Sequence, residues 1–216
     1  MRKSTFREYF ESILIAAILA LFIRTFVFQA FKIPTGSMEP NLLVGDHIVV
    51  NKFMFGAGGD NSWLLPMRPI KRGDVVVFRA PEEPDEDFIK RVVAVGGDKI
   101  EIVDGVVRVN DEVADEPFAH YSAGFGSRRD YGPFHVPEGH YFCLGDNRDN
   151  SRDSRYWGTV PRDLVKGRAV MVYWSYDAPS YSDYGAAPEQ GWTDFARSQA
   201  AYLTGTRWAR TFTMIR

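Results

Sequence analysis

The chain has 216 residues, 45% of them hydrophobic, and a formal net charge of −2. That length suffices for one sizeable domain beside an anchor, and the near-neutral charge gives no basis for a nucleic-acid binder, which would show a basic face. A single cysteine, Cys143, excludes an intrachain disulfide framework; lying in the apolar run 141–144, it is expected as a small buried hydrophobe and not as a nucleophile.

The first element in chain order is an unbroken run of eleven apolar residues, 13–23. Apolar character resumes after Arg24 and Thr25 and persists to Phe31, giving a span of roughly 20 residues, close to what a helix needs to cross the hydrocarbon core. Arg24 sits where a long side chain can snorkel to headgroups. Arg2, Lys3 and Arg7 precede the run and only Lys32 closely follows it, so the positive-inside rule places the N-terminus in the cytoplasm and residues 32–216 outside. A cleaved secretory signal is disfavoured because no small-x-small site follows the apolar core. An amphipathic surface helix is disfavoured because the run has no polar face. The expected organisation is a cytoplasmic segment 1–11, a single transmembrane anchor 12–31 and an extracytoplasmic domain 32–216.

Immediately after the anchor comes Ile33-Pro34-Thr35-Gly36-Ser37-Met38-Glu39-Pro40-Asn41-Leu42. On composition alone this is a turn. Two features make Ser37 a candidate nucleophile. Gly36 allows close backbone approach to a ligand, and Thr35, two residues upstream, can aim its hydroxyl at the same point as the Ser37 N–H, a pair of donors suited to an oxyanion.

From Leu42 onward the texture is β. Residues 48–50, 75–78, 89–95, 100–103, 106–109, 141–144 and 169–174 are short runs rich in β-branched and aromatic residues, punctuated by Gly, Pro, Asp and Asn. Asp104-Gly105 reads as a two-residue hairpin turn. The predicted fold is mainly β: the anchor helix followed by an antiparallel sheet domain, with a small β and loop lobe inserted at 98–140. Residues 56–69, with Trp63-Leu64-Leu65, and residues 177–191 read as surface loops. The tail 207–216 reads either as an edge strand or as a segment grazing the membrane interface.

Within the strand 89–95, Lys90 and Arg91 point to opposite faces, and both faces look buried. Arg91 is expected to pair with a carboxylate. Lys90 has no evident partner, so burial should disfavour its charged form. A neutral lysine can take the proton of a serine, which is a poor nucleophile until something does. The alternative is an edge-strand gatekeeper or an ordinary ion pair.

The block 145–158, Gly-Asp-Asn-Arg-Asp-Asn-Ser-Arg-Asp-Ser-Arg-Tyr-Trp-Gly, alternates charge. A calcium loop is disfavoured by Arg148, Arg152 and Arg155; an ion-paired scaffold loop fits better. His47, His120, His135 and His140 sit in no recognisable triad context.

Residues 33–42, 72–78 with 88–98, and 145–161, in that order behind an anchor, resemble the bacterial type I signal peptidases. They cover about a quarter of the chain and are jointly specific. The resemblance implies Ser37 as nucleophile, Lys90 as general base and Thr35 at the oxyanion-hydroxyl position. It implies that Ser151 hydrogen-bonds and orients the Lys90 amine, and that Asp153–Arg155 and Arg91–Asp146 are structural ion pairs. Phe31, Ile33, Pro34, Met38, Leu42, Phe88 and Ile89 fall where this family lines the pockets for the −1 and −3 residues of a signal peptide. A bound peptide would lie extended near residues 33–35, adding a strand. The sequence departs at Asn41, where threonine is usual, and at the turn Gly96-Gly97-Asp98, where a proline is commoner. The implied protein is a serine endopeptidase without metal or cofactor. It would be a monomer in the bacterial cytoplasmic membrane with its catalytic domain on the periplasmic side, acting on signal-peptide-bearing preproteins at a lipid bilayer. The competing readings are a soluble Ser-Lys self-cleaving repressor relative, against which the anchor argues, and an anchored β domain that binds partners without catalysis.

Overall fold

The computed structural model describes residues 5–52, 68–121, 129–177 and 205–215. Arg2, Lys3, Trp63-Leu64-Leu65 and nearly all of the predicted loop 177–191 lie outside the described residues.

Helix α1 (Thr5–Phe22) opens with a polar turn, in which Arg7 and Glu11 pair at 2.8 Å with i,i+4 spacing, and then presents Ile13, Leu14, Ile15, Ile18, Leu19, Leu21 and Phe22 to its surroundings as exposed side chains. A π-helical turn, Ile23–Val27, follows. Strand β1 (Phe28–Lys32) comes directly after it and pairs antiparallel with β2 (Asp46–Asn51), Ala30 opposite Val49. This corrects the predicted end of the anchor at residue 31. Residues 28–31 belong to the sheet, and no helix among the described residues is long and apolar enough to cross a membrane. Hydrophobicity alone could not place the boundary, because Phe and Val suit a strand as well as a lipid-facing helix; the backbone partners offered by β2 decide it.

The remaining strands are β3 (Val75–Arg79), β4 (Asp87–Val95), β5 (Lys99–Val103), β6 (Val106–Val109), β7 (Glu112–Val113), β8 (Tyr131–His135), β9 (His140–Leu144), β10 (Val160–Pro161), β11 (Val165–Ser175) and β12 (Thr213–Met214), with a short helix α2 (Ser154–Trp157). The main sheet runs β1-β2-β11-β3-β4-β9-β10, with β12 on β11, so the tail contributes a two-residue strand. A second sheet, β7-β6-β5-β8, is built from residues 99–135. The β5–β6 turn at Asp104 and Gly105 has φ of 51° and 84°, the double left-handed turn that matches strand twist.

Apolar alternation builds three clusters. Ile33, Met38, Leu42, Ile48, Val50, Val75, Val77, Ala169 and Val172 pack beneath the segment after β1. Ile100, Ile102, Val107 and Val109 of the second sheet pack with Val93, Ala94, Phe142 and Leu144 of the main one, so the lobe shares its core with the strands that carry the site. Val76, Phe78, Val92, Cys143 and Val160 form the third. A bulge between Val92 and Ala94 shifts the register of β4 against β9 and re-aims the side chains beyond it. Simple alternation along the strand would put Ala94 on the Lys90 face; past the bulge it packs with Val93 against the lobe instead.

Candidate active site

The segment between β1 and β2 crosses back over the sheet. Residues Gly36–Met38 form a 3-10 turn, entered from an extended Thr35 (φ −130°, ψ 153°). Met38 and Leu42 are fully buried and pin the turn, so the serine between Gly36 and Met38 is held by core packing. Lys90 approaches from the middle of β4. It stands opposite Val76 on β3, and its stem lies along an apolar face that includes Phe88, with the amine 5.8 Å from that ring. The amine is 2.6 Å from the Ser37 hydroxyl, and both residues are buried.

Lys90 is 5% exposed. Burial strips water from its ammonium and lowers its pKa from 10.5 to about 8, against the opposing pull of Asp153, Cys143 and Asp146. Arg91, the next residue, has the opposite outcome. Its guanidinium donates to both oxygens of Asp146, at 2.8 and 2.7 Å, and to the Gly73 carbonyl at 2.8 Å, and it lies over the Phe118 ring at 4.0 Å. Asp146 also accepts from Asn41 Nδ2 at 2.9 Å, and Asn41 donates in addition to the Phe118 carbonyl at 2.8 Å. Asn41 thus ties the segment carrying Ser37 to both the support loop and the lobe.

The loop 145–155 is an internally bonded frame. Asp153 accepts from Arg155 Nε and Nη2, each at 2.8 Å, and from the Gly145 N–H at 3.1 Å. Arg155 Nη2 donates to the Arg148 carbonyl at 2.6 Å. Arg148, itself buried, forks onto Glu116 of the lobe at 2.7 Å on both oxygens. Gly145 is where the frame touches the Ser37 turn: a Cβ there would lie 2.5 Å from Ser151 Cβ and 2.6 Å from the Ser37 carbonyl oxygen. Only a residue without a side chain admits that contact.

The structure brings together Ser37, Lys90, Asp146, Arg91, Asp153 and Arg155 with direct bonds within each predicted pair. Ser151 lies alongside but makes no hydrogen bond to Lys90. Its hydroxyl is buried without a partner among the described residues, packed against Gly145, so the expected Ser151–Lys90 bond is corrected. The lysine amine is drawn to Ser37 instead. Thr35 is exposed and does not cap the 3-10 turn, and the Ser37 N–H, in the first turn, has no partner within the helix. The resemblance-derived pocket residues divide. Ile33, Met38 and Leu42 are buried core, Phe31, Phe88 and Ile89 are half-buried at the rim, and Pro34 is exposed. Phe88 also packs against Trp157, the ring centroids 5.2 Å apart and the planes tilted by 41°. β1 is an edge strand of the main sheet, and Ile33 continues its ladder by donating to the Asp46 carbonyl at 2.8 Å.

Sequence reasoning missed the parts played by Asn41, Gly145, Arg148 and Asn147. The signal was present as a Gly and two Asn residues within the quoted blocks, but the bonds are long-range and local spacing does not reveal them. The thiol of Cys143 is fully buried and its pKa is pushed up by burial, in keeping with a packing role.

Residues 6–174 match the family model for signal peptidase, peptidase S26. The chain is 34% identical to signal peptidase I of Aquifex aeolicus, the alignment covering 84% of this chain and 90% of the relative. It is 35% identical to signal peptidase I of Pseudomonas aeruginosa, over 82% and 75%, and 36% identical to a probable signal peptidase I-2 of Synechocystis, over 80% and 75%. A crystal structure of a signal peptidase I from Enterococcus faecalis aligns with TM-score 0.41 and 29% identity, covering 47% of this chain and 97% of that one. The chain belongs to the signal peptidase family, peptidase S26, and is a serine endopeptidase.

Proposed function

We propose that this chain is a membrane-anchored signal peptidase that cuts exported preproteins after small-x-small sites by a Ser37–Lys90 dyad. The observation that carries the reading is the buried 2.6 Å contact between the Lys90 amine and the Ser37 hydroxyl, with the amine's pKa lowered to about 8. In its neutral form Lys90 takes the Ser37 proton as Oγ attacks the scissile carbonyl carbon. The C=O π electrons move to the oxygen, which the Ser37 N–H and the Thr35 hydroxyl stabilise. Collapse of the intermediate expels the amine of the mature protein, which takes the proton from Lys90, and leaves the signal peptide as an ester on Ser37. Lys90 then takes a proton from a water, whose oxygen attacks the ester carbonyl; as the C–O bond to Ser37 breaks, Lys90 gives that proton to Oγ, freeing the serine and a carboxylic acid that ionises in water.

The peptide would lie extended beside β1 and residues 33–35, where an edge offers backbone partners, with its small side chains against Phe31, Phe88 and Ile89. Support for a bilayer setting comes from α1, whose run of apolar side chains is exposed along its length, and from the tight connection of that helix to β1. In this reading residues 32–216 act on the periplasmic side, and no metal or cofactor enters the chemistry.

The test is incubation of the chain in detergent micelles with a preprotein carrying an Ala-x-Ala site, followed by N-terminal sequencing of the product. The reading expects a cut after the second Ala, abolished when the −1 residue is made large. An inert chain on several preproteins would instead favour an anchored binding domain.

A further inference from the structure

Asn147 stands beside the nucleophile, and its side chain makes a bond unusual for its type. Asparagine in a loop ordinarily bonds its own local backbone. Here Nδ2 donates across 111 residues of sequence to the Gly36 carbonyl at 3.1 Å, while the Asn147 main-chain N–H donates to the Ser37 carbonyl, also at 3.1 Å. Both carbonyls flanking the Ser37 Cα are therefore held by one residue. Asn147 Oδ1 accepts no hydrogen bond among the described residues, so the bond to Gly36 is the one its amide makes.

The direction of the Ser37 N–H follows from this. The Gly36–Ser37 peptide is trans, and in a trans peptide the C=O and N–H lie in one plane and point opposite ways. The Gly36 carbonyl also accepts from the Glu39 N–H at 3.1 Å, the bond that closes the 3-10 turn; the second bond, from Asn147, holds it toward the support loop and so keeps the Ser37 N–H pointing away from that loop. Asn147 is itself held from behind, since its neighbours are bridged by one residue of the lobe: the His120 N–H donates to the Asp146 carbonyl at 2.7 Å, and the Arg148 N–H donates to the His120 carbonyl at 2.9 Å. Asn147 is 7% exposed, so water competes poorly for the Gly36 carbonyl.

We infer that Asn147 is a positioning residue that aims the Ser37 N–H at the developing oxyanion, and that the lobe, through His120, fixes Asn147 in place. The inference rests on the Ser37–Lys90 reading above. A mis-aimed oxyanion donor weakens an interaction made in the transition state, and so lowers kcat while leaving ground-state binding nearly intact.

The experiment compares the full chain, Asn147→Ala, Asn147→Leu and Ser37→Ala in detergent micelles on one preprotein, measuring kcat and KM across pH with thermal unfolding alongside. For both Asn147 variants kcat should fall roughly 10- to 100-fold with KM within about twofold and the midpoint of the alkaline limb unmoved. Asn147→Leu has nearly the same size, adds no charge near Lys90 and cannot donate to Gly36, so it carries the test if Asn147→Ala does not fold. A folded variant with kcat within about threefold of wild type overturns the inference. So does a loss confined to KM, or a displaced pH limb, which would assign Asn147 to the lysine. If Ser37→Ala keeps wild-type turnover, the dyad reading itself fails; if Ser37→Ala is inert while the Asn147 variants are fully active, only the positioning role is lost.

Discussion

Lys90 and Arg91 are neighbours in β4, both almost fully buried, and only one of them is given a carboxylate. Arg91 is bonded on Asp146 and Gly73; Lys90 makes its hydrogen bond to the Ser37 hydroxyl. Strand geometry separates the two cations onto opposite faces, so Asp146 neutralises the arginine by direct contact and only weakly opposes deprotonation of the lysine. One strand thus carries an ion-paired arginine and a lysine bonded to a serine hydroxyl side by side.

The pH dependence of cleavage follows from that arrangement. With the Lys90 pKa near 8, the active neutral form is a minority at pH 7 and rises through pH 8. A profile of kcat/KM between pH 5.5 and 10 is expected to climb about tenfold per unit below roughly pH 8 and then level off. A bell centred near pH 5 would point to a carboxylate or histidine base.

The same shift has a stability consequence of definite sign. The folded chain releases the Lys90 proton near pH 8, while the unfolded chain holds it to about 10.5. Between those values the unfolded state binds more protons, so folding gains stability as pH rises. Below about pH 8 the buried charge destabilises the fold by about 3 kcal/mol. Lys90→Met should therefore unfold at higher denaturant concentration at pH 7, and its advantage should shrink steadily toward pH 10. Urea titrations at the two pH values measure it.

Asp146→Ala removes the partner of a buried guanidinium and should cost about 3–5 kcal/mol. Replacing Arg91 by Met and Asp146 by Leu together leaves no orphaned charge and should cost less than Asp146→Ala alone. Chemical denaturation of the two variants at pH 7 decides it.

Gly145→Ala should lower kcat at least about 100-fold, because the added methyl group would overlap Ser151 and push on the Ser37 carbonyl, and displacement of a reacting group by 1 Å can cost that much. The variant should still bind preprotein, which a competition assay against wild type reads directly.

The strands and the meeting of Ser37 with Lys90 were legible in the sequence because β-branched periodicity and the motifs around the two residues are local. The Asp104-Gly105 turn was legible for the same reason, since Gly supplies the backbone angle. Three things were not. The end of the N-terminal helix was hidden because Phe28 and Phe31 suit lipid and sheet alike. The flip at Ala94 was hidden because a bulge leaves no compositional trace. The bonds of Asn41 and Asn147 join residues 105 and 111 positions apart, and only the closed fold brings those segments into contact. The Ser151–Lys90 bond failed for a related reason: resemblance carried over the residue, while the packing of Ser151 against Gly145 set where its hydroxyl lies.

The central claim is that Ser37 and Lys90 act as one catalytic unit. It is tested most directly by cleavage of an Ala-x-Ala preprotein in micelles by wild type, Ser37→Ala and Lys90→Ala, each shown to be folded by circular dichroism. The account predicts that both variants are inactive and that the double variant is no worse than either single one. Near-normal turnover by Lys90→Ala would contradict it.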